Sequence, residues 1–404
     1  MRLRYVLRER DTRDRSDEQV LSIYRDLGVV PKGGRTDNFN KTPEDVSNYK
    51  LVMPGDVVVN KMKAWQGSIA VSAHQGIVSG DYLVCEVVHQ VERRYLHHAL
   101  RSQPMVAEYR VRSKGIRPSQ WRLYWDDLAE VELRLPPFAE QRAIADYLDA
   151  ETARIDALIE KKRRMIALLD ERRASAVQET LLPGSPVADV LVAPAHVGGQ
   201  LIPLKRLLLG TLPGGTPDAN NSEYWAADAD ETCVNWISIG DMVDRGVTAT
   251  TSKRLTKGGL AAARLTPGPP GTLLFAMYAS LGKLSSTGVP AVWNQAILGL
   301  VPDPSKSAGA FLAYWLEALR PHLGVVARSN TQDNLNAEQV GQLPVPVWDL
   351  HDQQQIVEKL DRTVGRIEGL AAQLRDQVDL LTERRQALIT AAVTGELEVP
   401  GVAA

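Results

Sequence analysis

The sequence predicts an α+β protein in which two mixed, β-rich domains with small helices are separated by two long helices. Three observations lead to this prediction. Long helical segments are repeated along the chain, the segments before them resemble one another more faintly, and short β-branched runs lie between Gly and Pro residues. The 404 residues can form two or three domains, and 44% hydrophobic with 24% charged residues is an ordinary globular composition.

The clearest repeat relates residues 141–173 to residues 353–385 at a constant offset of 212, with 13 of the 33 positions identical. Each copy follows a Pro-containing extended segment, and no further Pro occurs before Pro183 in the first copy or Pro400 in the second. Pro is unfavourable inside a helix, so its absence over some 40 residues permits one long helix in each copy. The repeat therefore predicts two long helices of the same kind.

Apolar residues in both copies recur at alternating spacings of four and three, which is typical of a heptad seam. The chain must travel out along one helix and back along the other, so the seams predict an antiparallel coiled coil. Two separate surface helices are the alternative, but they leave the repeat unexplained. The predicted seam consists of Ile144, Leu148, Ile155, Leu158 and Leu169 in the first helix and Ile356, Leu360, Ile367, Leu370 and Leu381 in the second.

A fainter repeat relates the segments that precede the two helices. Pro54-Gly55 and the apolar run after it parallel Pro270-Gly271 and its own apolar run. This similarity predicts a pseudo-two-fold internal repeat in which one domain and one helix form each half. The predicted boundaries are a first β-rich domain at 1–135, a first helix at 136–182, a second domain at 183–348 with a linker at 183–200, a second helix at 349–395 and a tail at 396–404.

Several classes of protein do not fit this sequence. No apolar run approaches the length of a membrane span, and the N-terminus does not resemble a signal peptide, so we expect a cytoplasmic protein. Cys85 and Cys233 are the only cysteines, and the histidines form no ligand cluster, so we expect no metal site. We find no phosphate-binding loop, dinucleotide motif or catalytic constellation. The sequence therefore favours a binding module without a cofactor of its own.

The charge distribution points to nucleic acid as the ligand. Residues 1–122 carry 21 Lys and Arg but only 14 Asp and Glu, whereas the whole chain has a formal charge of −2. A solvated surface explains this charge equally well until the residue types are considered. Arg and Gln can read bases while Lys and Ser hold phosphates. The candidates in the first domain are Arg110, Arg112, Ser113, Lys114, Arg117, Ser119, Gln120 and Arg122.

An amide-rich segment occupies the corresponding place in the second domain. Its candidate residues are Arg328, Ser329, Asn330, Gln332 and Asn334. A further paired set lies earlier in each domain, with Lys61 and Lys63 in the first and Tyr278 and Ser280 in the second. Either segment alone could be an ordinary surface loop, but their matching positions in the two repeats favour a binding role.

The arrangement resembles the DNA-specificity subunit of type I restriction-modification enzymes over nearly the whole chain. The resemblance rests first on Leu-Pro-Pro-Phe-Ala-Glu-Gln-Arg at 135–142 and on the helix that it opens. Gly-Gly-Thr-Pro at 214–217, with Tyr224-Trp225 and Asn235-Trp236 after it, is similar to the beginning of that family's target recognition domains. The second helix departs from the pattern, because Trp348-Asp349-Leu350 replaces Pro-Pro-x, and the first domain lacks an obvious Gly-Gly-Thr-Pro.

The resemblance implies that each domain is a target recognition domain, which reads one half of a bipartite site in double-stranded DNA. It implies that the helices set the spacing and dock two methyltransferase (modification) subunits, with restriction and translocase subunits joining them. S-adenosylmethionine, ATP and Mg²⁺ would belong to those partners, and adenine methylation and DNA cleavage would be activities of the complex. Two alternatives remain, namely a coiled-coil scaffold that binds no DNA and a specificity partner of a fused methylase-nuclease.

Overall fold

The computed structural model describes residues 1–25, 27–34, 42–117, 120–192, 194, 200–226, 232–327 and 334–402. They divide into two units. Unit 1 consists of Met1–Arg164 and Leu374–Ala404, and unit 2 consists of Met165–Gln373. None of the described helices is both long and apolar enough to cross a lipid bilayer.

Unit 1 is built from short strands followed by three short helices. Its elements are β1 (Leu7–Glu9), β2 (Leu21–Tyr24), β3 (Gly28–Pro31), β4 (Lys50–Val52), β5 (Val57–Asn60), β6 (Ile69–Val71), β7 (Gly76–Val78), β8 (Tyr82–Val87), α1 (Arg93–Leu100), α2 (Gln103–Arg112) and α3 (Trp125–Ala129). The long helix α4 (Phe138–Leu181) follows and contributes its residues up to Arg164 to this unit.

Unit 2 has more strands than unit 1. Its elements are α5 (Asp189–Val192), β9 (Leu201–Pro203), β10 (Leu208–Pro213), β11 (Trp225–Ala226), β12 (Val234–Ile237), β13 (Val247–Thr248), β14 (Lys253–Leu255), α6 (Lys257–Ala263), β15 (Leu273–Ala276), β16 (Leu284–Thr287), β17 (Ala291–Trp293), β18 (Ile297–Pro302), α7 (Gly309–Leu319), α8 (Gly324–Ala327), α9 (Ala337–Gly341) and β19 (Pro344–Pro346). The second long helix, α10 (Leu350–Thr394), follows and returns to unit 1 from Leu374 onward.

Each unit has its own central sheet, and the two sheets have the same strand arrangement. Unit 1 has the antiparallel order β1-β8-β5-β6, and unit 2 has the antiparallel order β10-β18-β15-β16 with β13 added in parallel on β16. The turns into β5 and β15 each place a glycine at positive φ, +91° at Gly55 and +84° at Gly271. A Pro-Gly pair suits such a turn because Pro fixes the preceding φ and Gly has no Cβ to clash. The predicted α+β class is confirmed.

Alternation along the central strands creates a core on each face of the sheet. In unit 1, Val57 and Val59 pack in the cluster that includes α1 and both long helices, while Val58 packs with β2 and β3. In unit 2, Leu273 and Phe275 likewise face α7 and the long helices, whereas Leu274 joins a separate cluster. Successive side chains of a strand point to opposite faces, so these β-branched and apolar runs have both faces buried.

A buried glutamine at the start of each long helix joins it to the short helix on the sheet. In unit 1, Gln141 accepts a hydrogen bond from the backbone N–H of Glu92 (2.9 Å) and donates to the carbonyl of Pro136 (2.8 Å). In unit 2, Gln353 accepts from the N–H of Ala308 (2.9 Å) and donates to the carbonyl of Trp348 (2.9 Å). Glu92 and Ala308 cap α1 and α7, so both carboxamides satisfy helix donors that lack an internal partner.

The long helices run antiparallel within each unit. In unit 1, Asp156 pairs with Arg385 (2.9 Å), and the Lys162 ammonium donates to the Gln377 side chain (2.5 Å). The residue number therefore falls along α10 as it rises along α4, as an antiparallel pair requires. In unit 2 the side chain of Arg173 donates to Glu368 at 2.8 Å. The antiparallel pairing that the sequence predicted is present in both units.

Two of the ten predicted seam residues are wrong by one position. Ile144, Leu148, Ile155 and Leu360 are buried, and Leu169, Ile356, Ile367 and Leu381 are partly buried. Leu158 and Leu370, however, are 49% and 53% exposed, whereas the next residues, Ile159 and Ala371, are 7% and 3% exposed. Because apolar residues stand side by side at these places, the sequence allowed either the predicted positions or those one residue later to form the seam. The packed partner selects the phase that passes through 148, 152, 155, 159 and 162.

The corrected seam predicts that a charge lowers the free energy of unfolding much more at one position than at the position next to it. We expect Ile159→Asp to lower the free energy of unfolding by several kcal/mol, because it buries a carboxylate without a partner. Leu158→Asp introduces the same charge on the exposed face and should change stability by less than about 1 kcal/mol. Urea unfolding followed by circular dichroism measures both. Equal losses in the two variants would show that Leu158 belongs to the seam after all.

The glutamine joint predicts a loss of stability that its neighbour does not share. Gln353→Leu keeps a similar volume but leaves the Ala308 N–H and the Trp348 carbonyl without partners, so we expect a cost of about 2–4 kcal/mol. Gln354→Leu alters an exposed residue of the same helix and is the matched control. The measurement is the midpoint of urea unfolding. If both variants unfold at the wild-type midpoint, the joint contributes nothing to stability.

Candidate nucleic-acid interface

A loop whose ends meet at Lys114 and Arg122 carries three of the seven predicted basic residues of unit 1. The backbone N–H of Lys114 donates to the carbonyl of Arg122 (3.0 Å), and the N–H of Arg122 donates back to the carbonyl of Lys114 (2.9 Å). Gly115 is required within it, because a Cβ at that position would lie 2.7 Å from the carbonyl oxygen of Gln120. These contacts fix the base of the loop and leave its outer residues exposed to solvent.

The structure brings the two predicted basic sets of unit 1 together. The N–H of Leu123, directly after the loop, donates to the carbonyl of Lys61 at 2.9 Å. Trp65 and Trp121 meet edge to face, with ring centroids 5.4 Å apart. Lys61 and Lys63 directly follow β5, so these two contacts join segments some 60 residues apart in the sequence into one surface.

The cations of this surface differ in how far they are already neutralised. Lys114 pairs with Asp127 at 2.6 Å and Arg122 with Asp81 at 3.2 Å, while Arg112 pairs with Glu108 on its own helix. Among the described residues, Arg110 and Arg117 are exposed and have no acidic partner. Lys63 is likewise exposed and has no ion pair with a described residue, so these three are the cations most available to a polyanion.

Burial and nearby positive charges both disfavour the charged form of Lys61. Burial lowers the pKa of its ammonium, and the positive charges of Lys50 and Arg122 lower it further, against the opposing effect of Asp81. Like charges held close together repel unless an anion comes between them. A phosphate bound at this surface would relieve that repulsion.

Unit 2 repeats the hydrogen bond that joins the two segments in unit 1. The N–H of Leu335 donates to the carbonyl of Met277 at 3.0 Å, at positions that correspond to Leu123 and Lys61 in unit 1. Tyr278 and Ser280 lie just after Met277. Tyr278 is partly buried, which raises its pKa, and Ser280 is exposed with a φ of 110°. In each unit, the residue that follows β5 or β15 is thus joined to the segment that precedes the long helix.

Comparison with known proteins finds a family match in the second half of the chain. Residues 214–379 match the family described as the type I restriction modification DNA specificity domain. The match begins at Gly214, in the Gly-Gly-Thr-Pro segment, and ends within α10. This part of the chain is therefore similar to the type I restriction modification DNA specificity domain.

One solved structure extends the similarity of fold to nearly the whole chain, and two others with lower TM-scores also align with it. A chain from a study of complex assembly and conformational transition of the type I R-M system is 18% identical, with a TM-score of 0.65 over 98% of this chain and 97% of that one. The HsdS subunit from Thermoanaerobacter tengcongensis is 17% identical, with a TM-score of 0.47 over 98% and 96%. The S subunit from M. genitalium is 14% identical, with a TM-score of 0.41 over 97% and 95%.

The specificity domain of unit 2 contains polar residues that the sequence analysis did not select. The hydroxyl of Thr216 donates to the side chain of Gln295, and both residues are exposed. Gly214 permits this contact, because a Cβ there would lie 1.9 Å from the carbonyl oxygen of Asn294. The Gly-Gly pair was the available signal, since paired glycines often mark a close backbone approach. Thr216 and Gln295 are thus further candidates beside Tyr278.

An aromatic cluster supports the same segment of the specificity domain. The Trp236 indole donates to the carbonyl of Gly215 (2.9 Å), and the Trp225 and Trp236 rings meet edge to face with centroids 5.1 Å apart. The Lys253 ammonium lies 4.9 Å from the centroid of the Trp225 ring, which is a cation–π distance. Trp236 therefore supports the Gly-Gly-Thr-Pro segment directly, and Trp225 packs against Trp236.

Some predicted contacts have other roles or cannot be placed. The hydroxyl of Ser113 donates to the carbonyl of Tyr109 and so completes the end of α2. Gln120 is exposed in the loop, and Asn334 is partly buried directly before Leu335. The residues that lie outside the described part of the chain are Ser119, Arg328, Ser329, Asn330 and Gln332. Within the described part, no three His, Cys, Asp or Glu side chains come together in a way that could hold a metal ion.

Proposed function

We propose that this chain is the DNA-specificity subunit of a type I restriction-modification complex and that each unit reads one half of a bipartite site in double-stranded DNA. The observation that carries the proposal is the same loop pairing in both units, Leu123 with Lys61 and Leu335 with Met277. Two equivalent loop pairings that present different side chains suit two different half-sites. Contacts to DNA phosphates position a protein on the duplex, whereas side-chain contacts to base edges read the sequence.

The two surfaces differ in chemistry, which supports two distinct readers. The surface of unit 1 is rich in Arg and Lys, whereas the described residues of the unit 2 surface are mainly hydroxyl and amide groups such as Tyr278, Ser280 and Gln295. Arg pairs with guanine, and amides pair with adenine. Phosphate contacts from the basic surface would add affinity that does not depend on sequence.

We further propose that the paired helices set the distance between the half-sites and dock two modification subunits. Exposed apolar side chains on the helix faces away from the seam, including Leu158, Met165 and Leu168, support a docking role. In this proposal adenine methylation with S-adenosylmethionine belongs to those partners, and ATP-dependent cleavage belongs to restriction subunits. The chain itself carries out no catalytic step and works in the cytoplasm.

The exposed arginines test DNA reading by unit 1. We expect Arg117→Ala or Arg110→Ala to weaken specific binding by the assembled complex by about 1–3 kcal/mol if the residue reads a base. If it holds a phosphate, the loss should instead be uniform across sequences, and the salt dependence should become shallower by about one ion. Equilibrium binding at several salt concentrations, with the DNA site defined by methylome sequencing, distinguishes the two.

A charge-matched control accompanies these variants. Arg8→Ala removes the same charge from β1, where Arg8 pairs with Glu86 toward the end of β8 that lies away from Asp81. We expect its DNA binding to remain at the wild-type level. If Arg8→Ala and Arg117→Ala weaken binding equally, the effect is one of net charge and the loop is not the reader. If the complex binds no DNA sequence selectively, the chain is a scaffold and the proposal fails.

The helix register allows a sharper test of the spacing. The contacts at Asp156–Arg385 and Lys162–Gln377 place residues 158–164 opposite residues 376–382. Deleting both heptads together keeps the seam and shortens each helix by about 10 Å, roughly three base pairs of DNA. We expect the preferred spacer to shorten by about that amount while the half-site sequences stay the same.

The readout of the deletion is methylation of a DNA library in which the spacer length varies between fixed half-sites. Deleting residues 158–164 alone is the control, since it shifts the register of one helix and should impair assembly. If the double deletion methylates the original spacing best, the helices do not set the distance.

A further inference from the structure

Ile116 is an unusual residue for the tip of a polar loop. Its side chain is 95% exposed, more than any other large apolar side chain among the described residues. Ile116 directly precedes Arg117 in the basic loop, and Gly115 separates it from Lys114. A branched apolar side chain gains nothing from such exposure, because water is its least favourable surroundings. Single exposed apolar residues are common on protein surfaces, but this one lies beside Arg117 on the loop that is joined to Lys61, where a bound polyanion would meet it.

The loop holds Ile116 outward by contacts that do not involve Ile116 itself. The paired backbone hydrogen bonds of Lys114 and Arg122 close the base of the loop, and Lys114 is further held by Asp127. Leu123 is fully buried directly after the loop and anchors it to Lys61. The exposure of Ile116 is consequently a property of a supported loop rather than of a free chain end.

We propose that Ile116 contacts the C5-methyl group of a thymine in the half-site read by unit 1. This inference rests on the proposed function. In the major groove, the thymine methyl is the apolar feature of the base edges, and apolar side chains recognise it. Arg110 and Arg117 would meanwhile contact phosphates or guanine, which places an apolar side chain against the bases between cationic contacts.

The test replaces thymine by uracil, which lacks only the methyl group. The relevant half-site is the one weakened by Arg117→Ala, and each thymine on either strand is replaced singly in a synthetic duplex. Wild-type complex should lose affinity at one position by about fourfold, the effect of one methyl group removed from an apolar contact. Ile116→Ala should lose a similar factor on the thymine duplex and nothing further on the uracil duplex, while Ile116→Val should lie between.

The control and the opposing outcomes separate this inference from the function beneath it. Val88→Ala alters a 49% exposed apolar residue after the far end of β8 and should leave all duplexes unaffected. If wild type and Ile116→Ala respond equally to every uracil, the contact does not exist. 2-Aminopurine, a base analogue that fluoresces more strongly when it unstacks, is placed beside the site as a second readout. If Ile116→Ala weakens binding of thymine and uracil duplexes alike and abolishes this rise in fluorescence, Ile116 inserts between base steps, and the methyl contact is wrong. Loss of sequence-selective binding by wild type itself would count against the proposed function instead.

Discussion

The buried carboxamides of Gln141 and Gln353 are the contacts on which both halves of this chain depend. Each binds the first free N–H of the short helix on the sheet and a carbonyl of the extended segment before the long helix. A buried carboxamide has a strong requirement for partners, so it accepts only the geometry that satisfies both ends. The joint thereby fixes the direction in which each long helix leaves its β-rich unit.

A second repeated contact continues that joint along the helices. Asp149 binds His98 on α1 (2.9 Å), and its counterpart Asp361 binds Tyr314 on α7 (2.7 Å). Further on, Arg385 meets Asp156 in unit 1 and Arg173 meets Glu368 in unit 2. Burial disfavours the charge of Arg173, but hydrogen bonds to Glu317 and Glu368 outweigh it and raise its pKa. Because Arg173 is buried, loss of its acidic partners would leave a costly unpaired charge, which favours the helix register that keeps Glu368 within reach.

The candidate interface follows from this framework, because in each unit the candidate loops are attached to the sheet that the joint connects to the long helix. Sequence analysis identified the basic loop of unit 1 and its earlier Lys pair, since Arg and Lys clusters are visible without a structure. It did not select Thr216 or Gln295, whose pairing depends on the close backbone approach at Gly214. It also gave Ile116 no role, because only the exposed fraction of that side chain distinguishes it from an ordinary core residue.

The sequence by itself determined the repeat, the α+β class, the two long helices and their antiparallel pairing. These features depend on local periodicity and on Pro and Gly positions, which act over a few residues. Only the tertiary structure decided the phase of the seam, where Ile159 and Ala371 are buried and Leu158 and Leu370 are not. It alone also joined Lys61 to Leu123 and Met277 to Leu335. The reason is that a face or a loop acquires its neighbour through packing against distant residues, and local sequence contains no record of that choice.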